Sequence, residues 1–258
     1  MAQPQPVKLP RWLRWFLDKA PDWLKPDLTT EPRPTDPVLS RYVRSFMWSR
    51  IFIGLLAIAL PFWLVLADWG LFDGDLAPRN SLSAYYWSDA REWFVGTLCA
   101  IGVFLLTYKL TETSLDNTLS MVAAVFVLLV VFFPTGSTLP DNAIQERFGE
   151  DWVTGFHVFA AGVFIGSLAL ISLCYGVREA ARTQDGIAPP SVWKWFHWGC
   201  AIVIVLAIAA IGLHEFTEKG PRTTVLWMEA LAVVAFGASW LTKGFDYKYL
   251  FQDSSLAS

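Results

Sequence analysis

The segment 80–92 carries the densest group of side chains able to bind a ligand, ending where a long apolar run begins. Its hydroxyl and charged members are Ser81, Ser83, Tyr85, Tyr86, Ser88, Asp89, Arg91 and Glu92. An arginine guanidinium binds phosphate or carboxylate oxygens two at a time, and neighbouring hydroxyls add hydrogen bonds. The segment therefore predicts a site for a lipid head group or a small anionic ligand, with Ser83, Tyr86, Asp89 and Arg91 in it.

A purely structural role is the alternative for the same segment. Ser88, Asp89 and Glu92 have the residue types and spacing of a helix capping box. In that interpretation Asp89 binds the free backbone N–H groups of the following helix, which are costly to leave unpaired in a membrane. Arg91 is then an anchor at the membrane surface.

Three further side chains lie near the same predicted membrane surface, on three separate apolar runs: His157, His214 and Glu229. Glu229 is the acid that lies well inside an apolar run, where an ionisable group is a functional candidate by default. We expect these three residues to join Ser83, Tyr86, Asp89 and Arg91 in one outward pocket. The structural alternative is three separate side chains, each satisfied by its own hydrogen bond.

His157, His214 and Glu229 also suggest metal chemistry. Two imidazoles and a carboxylate can form an open zinc site, in which a zinc-activated water would hydrolyse a lipid amide or ester. Glu229 or Asp89 would then move the proton. Haem ligation by the two histidines is a less favoured alternative. Neither an HxxxH nor an HExxH pattern is present, and whether the protein is an enzyme stays open.

The elements that must position these residues are six apolar runs, each near the ~20 residues that cross a bilayer as a helix. They cover about 50–68, 92–110, 118–135, 153–175, 195–214 and 223–242. The sequence therefore predicts an all-α, polytopic membrane helix bundle with six transmembrane helices over residues 50–242. Fifteen of the 20 Lys and Arg residues lie on one side of these spans. Because positive residues stay in the cytoplasm, both termini are predicted to be cytoplasmic, in the inner membrane.

The regions outside the spans are short. Residues 1–25 have the aromatic and basic pattern of an amphipathic helix at the membrane interface. Residues 26–49 are a Pro-rich tether and lead-in, and residues 243–258 form a cytoplasmic tail. Membrane lipids are the expected partners. A structural subunit of a larger membrane complex, or a homo-oligomer, is the alternative, with the amino-terminal helix as the contact.

Composition excludes several classes of protein. The chain of 258 residues is 54% hydrophobic and 17% charged, against about 25% charged in soluble domains. A formal net charge of −3 does not favour a nucleic-acid partner. The three cysteines lie in apolar runs without CxxC spacing, which is typical of buried small side chains.

Several residues of the cytoplasmic half have ordinary interpretations. His197 and Trp240 are predicted to belong to the aromatic belt at that interface. Arg178 and Arg182 are expected to meet anionic lipid head groups, and Asp116 to cap the third span. The pair Gly162 and Gly166 forms a GxxxG motif, which predicts close packing within the bundle or, as a weaker alternative, dimerisation.

The motifs SLSAYY at 81–86, Arg91-Glu-Trp-Phe-Val-Gly96 and Phe132-Phe-Pro-Thr135, with Phe156-His157, resemble those of a group of uncharacterised bacterial six-helix membrane proteins. The resemblance spans roughly residues 50–242 and implies that fold. The chain is more distantly similar to the CREST membrane hydrolases, which place Ser, Asp and three His around zinc on seven helices. Ser81 or Ser83 could match the hydroxyl of that family, but no His follows at its spacing, and the paired His of its last helix is missing.

Overall fold

The computed structural model describes residues 37–70, 78–107, 115–137, 139–182, 192–217 and 219–245. Within these ranges the chain is all-helical, as predicted. Its α-helices, numbered α1 to α7, are Pro37–Gly70, Arg91–Thr107, Leu115–Phe132, Ala143–Phe148, Glu150–Arg182, Val192–Thr217 and Thr224–Phe245. A short 3₁₀ helix, Ser83–Trp87, precedes α2. Neither the 3₁₀ helix nor α4 was predicted.

Five of these helices are long and apolar enough to cross a membrane: α1 from Trp48 onward, α3, α5, α6 and α7. This indicates a multi-pass membrane protein. The remaining predicted run, 92–110, corresponds to α2, which has 17 residues in the described range. At ~1.5 Å per residue α2 is about 25 Å long, shorter than the ~30 Å of bilayer hydrocarbon. A sixth span therefore stays a prediction.

Local sequence explains where several helices begin and end. Pro37 stands at the first position of α1, where its fixed φ angle suits a helix start. The amino-terminal half of the predicted lead-in lies outside the described residues, but residues 37–49 are helical. Asn142 and Gln145 form a capping box at the start of α4. Gly149, at a φ of 89°, then turns the chain into α5.

The predicted interfacial helix at 1–25 and the tail beyond residue 245 are not among the described residues.

The long helices pack in a ring, with one helix outside it. α1 contacts α2 and α7, α3 contacts α2 and α5, and α5 contacts α7. α6 packs against α5 and α7. Only 28% of its apolar window is buried, against 44–56% for the other candidate spans. Its exposed side chains include Ile202, Leu206 and Phe216. Such continuous apolar exposure suits a helix that contacts lipid.

Glycine permits a close approach of two helices, but not where the sequence predicts it. A Cβ atom added at Gly237 on α7 would lie 2.8 Å from the Gly54 carbonyl oxygen of α1. By contrast, a Cβ added at Gly162 or Gly166 meets nothing within 4 Å. The GxxxG motif therefore does not pack against another helix in the described part of the chain. Packing of that motif within the bundle was the wrong expectation, and dimerisation through it stays a prediction.

The two ends of the bundle differ in chemistry. One end, called here the 3₁₀ end, carries the 3₁₀ helix, α4 and the turn from α6 to α7. The opposite end, called here the ion-pair end, holds two buried ion pairs, Asp116–Arg178 and Glu179–Lys243. These pairs link α3, α5 and α7.

Candidate functional site

A partly open cavity of about 40 Å³ lies inside the ring near the 3₁₀ end. Its wall is formed by α1, α2, α3, α5, α7 and the segment before α2. Nine of the twelve lining residues are apolar, and the other three are Ser83, His157 and Glu229. The structure thus brings three of the seven predicted site residues to one cavity. Ligand sites usually combine a mostly apolar wall with a few convergent polar groups and measure about 300–1,000 Å³. This cavity has that composition but is much smaller.

Glu229 has a structural partner as well as a place on the cavity wall. Its Oε2 accepts a hydrogen bond of 2.6 Å from the backbone N–H of Leu82. One turn earlier on α7, the Leu226 N–H donates to the Asn80 carbonyl at 2.9 Å. The segment before the 3₁₀ helix is therefore held against the start of α7, and Glu229 positions the part of the chain that carries Ser83.

His157 is 3% exposed and is held from α3. Its Nδ1 lies 2.6 Å from the carbonyl oxygen of Phe133, just after α3 ends. Because a carbonyl can only accept, Nδ1 carries the proton and donates it. In the neutral ring, Nε2 is then the hydrogen-bond acceptor.

Arg91 and Tyr86 form a separate pair that does not line the cavity. The Arg91 Nη2 donates to the Tyr86 hydroxyl at 2.6 Å, and the guanidinium carbon lies 4.2 Å from the centre of the Tyr86 ring. The Asn142 amide reaches the same hydroxyl at 3.5 Å. Tyr86 is buried while Arg91 is exposed. Arg91, which motivated the anionic ligand, is thus occupied at the protein surface.

Asp89 is exposed and is not the side chain that caps α2. Ser88 has that role, because its Oγ accepts from the Ala90 N–H at 3.0 Å and donates to the Tyr85 carbonyl at 2.9 Å. The predicted capping position was therefore wrong by one residue. Serine and aspartate are both good caps, so their identity alone does not choose between them.

His214 does not join His157 and Glu229 on the cavity wall. Its Nδ1 lies 2.8 Å from the Lys219 carbonyl oxygen, so it closes the turn between α6 and α7. Among the residues that the structure describes, no group of three or more His, Cys, Asp or Glu side chains is arranged to hold a metal ion. The predicted zinc site needed His157, His214 and Glu229 together. Because His214 lies elsewhere, the remaining two side chains do not fit a zinc ion.

The segment that covers the cavity is fixed by contacts that sequence analysis missed. Arg79 makes two hydrogen bonds to Asp68 at the end of α1, at 2.9 and 3.2 Å. The Trp87 indole donates to the Thr135 carbonyl at 2.8 Å, as does the buried Gln145 at 3.3 Å. Together these bonds attach residues 79–87 to α1 and to the α3–α5 connection.

The ion-pair end holds a second polar group, called here the ion-pair cluster: Asp116, Tyr175, Arg178, Glu179, His197, Ser239, Trp240 and Lys243. All of its members are buried. His197 Nδ1 lies 2.8 Å from Ser239 Oγ, which ties α6 to α7. Tyr175 is in ring contact with both His197 and Trp240.

This cluster corrects several interpretations of single residues. Arg178 pairs with Asp116 inside the bundle, so it is not free to meet lipid head groups. Asp116 lies within the first turn of α3 and uses its carboxylate in that ion pair. His197 is 2% exposed and Trp240 is fully buried, so neither belongs to an aromatic belt. In the sequence, the charged residues of the cluster stand within about one helical turn beyond the ends of the predicted apolar runs.

Compared with known proteins, the chain matches no protein-family model, no curated protein and no solved structure. The resemblances to six-helix membrane proteins and to CREST hydrolases therefore stay predictions. The candidate site rests on its geometry alone.

Proposed function

We propose that this protein is a six-span protein of the inner membrane whose cavity at the 3₁₀ end binds the head group of a membrane lipid. The observation that carries the proposal is the convergence of Ser83, His157 and Glu229 on one cavity from separate elements. Polar side chains are costly in a spanning bundle, so those that meet at a cavity are functional candidates.

The remainder of the cavity wall supports a lipid as the ligand. Apolar side chains from five helices surround the polar groups, so the wall can also contact the carbon atoms next to a head group. A cavity of about 40 Å³ holds about three water-sized groups, at ~10–15 Å³ each. Its size therefore suits the terminal part of a head group rather than a whole lipid.

Hydrolysis is less well supported than binding. A zinc-dependent mechanism needs ligands that the described residues do not bring together. Membership of a larger complex depends on the amino-terminal helix, which lies outside those residues, so it stays a prediction.

A variant that fills the cavity tests the proposal. Ala161 lines the cavity on α5, and Ala161→Phe should occupy the space that a head group needs. We expect native mass spectrometry, after purification in a mild detergent, to show lipid bound to the wild-type chain and several-fold less on this variant.

Leu170→Phe is the matched control, because it adds a similar aromatic ring on the same helix at an exposed position. It should retain the wild-type amount of lipid. If Ala161→Phe and wild type bind equal amounts of lipid, and thermal unfolding transitions show that both proteins are folded, the cavity is ruled out as the binding site.

A further inference from the structure

We infer that the group bound in the cavity is a hydrogen-bond-donating cation, the primary ammonium of an aminophospholipid head group. This inference rests on the proposed lipid binding and specifies its chemistry. Three features of the cavity support it: the hydrogen-bond acceptors on the wall, the absence of Lys and Arg from the wall, and the small volume.

The polar atoms of the wall are mainly hydrogen-bond acceptors. A carboxylate has about four lone-pair positions, and one bond from Leu82 to Glu229 leaves others available. His157 donates through Nδ1 to Phe133, so its Nε2 is an acceptor in the neutral ring. A ligand that bonds to both must itself carry N–H or O–H donors.

Anionic ligands are disfavoured by the charges of the wall. Its twelve residues include one carboxylate and neither Lys nor Arg. Two arginines of the 3₁₀ end are bound elsewhere: Arg79 to Asp68 and Arg91 to Tyr86. A phosphate or carboxylate in the cavity would face Glu229 without a compensating cation on the wall.

Size and hydrogen bonding together favour a primary ammonium over a methylated one. An –NH₃⁺ group has three donors on one small atom, and with its neighbouring methylene it fits a space for about three water-sized groups. A trimethylammonium group is wider and has no N–H donor. Phosphatidylethanolamine combines a positive charge with N–H donors. Phosphatidylcholine has the charge without an N–H donor, and phosphatidylglycerol has O–H donors without a positive charge to pair with Glu229.

The experiment is a lipid competition. The full chain, stripped of lipid in detergent, is mixed with equal amounts of phosphatidylethanolamine, phosphatidylcholine and phosphatidylglycerol of identical acyl chains, and bound species are counted by native mass spectrometry. We expect phosphatidylethanolamine to be favoured by about tenfold, the effect of one hydrogen bond to a charged group.

Glu229→Gln tests the residue that gives the preference. Its amide oxygen still accepts from Leu82, so the segment before the 3₁₀ helix is retained while the charge is removed. In this variant the preference for phosphatidylethanolamine should fall to near parity. In Ser83→Ala the preference should fall by a smaller amount. Glu92→Gln, which removes an exposed carboxylate at the same end, should preserve it.

The outcomes separate this inference from the proposed function. If the wild-type chain retains no lipid at all, lipid binding itself fails. If it binds lipids without preferring phosphatidylethanolamine, or if Glu229→Gln keeps the preference, only the ammonium inference is overturned. An added arm with free ethanolamine distinguishes the ligand source: thermal stabilisation by ethanolamine that is lost in Glu229→Gln, without lipid preference, would identify a soluble amine in place of a lipid.

Discussion

Asp116 and Arg178 place opposite charges inside the bundle, with the Asp116 side chain 1% exposed. Moving two charges out of water is unfavourable, and their attraction offsets that cost only while both are present. Such a pair therefore specifies how α3 meets α5 more than it adds net stability. The same reasoning applies to Glu179 and Lys243, which join α5 to α7.

Asp116→Asn should destabilise the protein by about 3–5 kcal/mol, because it leaves the Arg178 charge without its carboxylate. The measurement is the free energy of unfolding in detergent micelles. Glu92→Gln serves as the control, since Glu92 is exposed on α2, and it should change stability little. Replacing Asp116 and Arg178 together by Leu and Met should recover much of the loss. A single variant as stable as wild type would contradict the role of this ion pair.

At the scale of helices, the contact between α1 and α7 depends on two glycines. A Cβ at Gly54 would lie 3.0 Å from the Gly237 carbonyl oxygen and 2.8 Å from the Leu241 Cβ. Because backbone atoms form part of this contact, the helices cannot admit a side chain without moving apart. Close approach through small residues is the usual way in which membrane helices pack.

Gly237→Ala should therefore destabilise the bundle by about 1–3 kcal/mol, the usual effect of overpacking. Alanine has the better helix propensity, so a loss of stability would come from the contact and not from the helix. Gly212→Ala is the matched control, since a Cβ there meets nothing within 4 Å. The stability of both variants is measured by thermal unfolding in the same detergent. Equal unfolding midpoints for the two variants would show that the α1–α7 contact accommodates the added methyl group without loss of stability.

At the scale of the whole molecule, α2 runs beside α1 from one end towards the other. Trp93 and Trp63 are in ring contact near the 3₁₀ end, with centroids 4.7 Å apart. Phe104 and Phe52 are in ring contact 6.5 Å apart, towards the other end. This path supports α2 as the sixth span, although its 17 described residues fall short of a full crossing.

Cysteine labelling tests the six-span topology and its orientation. In a background with Cys99, Cys174 and Cys200 replaced by Ser, we expect Glu146→Cys to react with a membrane-impermeant maleimide in intact cells. Gln184→Cys and Glu112→Cys should react only after the cells are opened. Asp89→Cys, which precedes α2 and is exposed, should react like Glu146→Cys. Equal labelling of Asp89→Cys and Glu112→Cys would show that α2 does not cross. Labelling of Glu112→Cys and Gln184→Cys in intact cells, in place of Asp89→Cys and Glu146→Cys, would invert the orientation.

Much of the fold could be predicted because membrane spans are encoded locally. A helix satisfies its backbone hydrogen bonds within one segment, so length and hydropathy alone locate α3, α6 and α7 to within three residues. They also find α1 and α5, but α1 begins 13 residues before the predicted run and α5 ends seven residues after it. The 3₁₀ helix and α4 were missed because their polar, aromatic sequences have no apolar period. They are held instead by bonds to distant residues such as Thr135.

What the sequence by itself determined is which segments are helical and apolar, and which polar side chains lie near their ends. Only the tertiary structure decided which of those side chains meet: Glu229 with Leu82, His157 with Phe133, and Asp116 with Arg178. The physical reason is rotation about the helix axis. In spans that are apolar on every side, periodicity does not fix which face turns inward. Packing against neighbouring helices places His157 at the cavity, whereas His214, at the end of α6, bonds to the turn that follows.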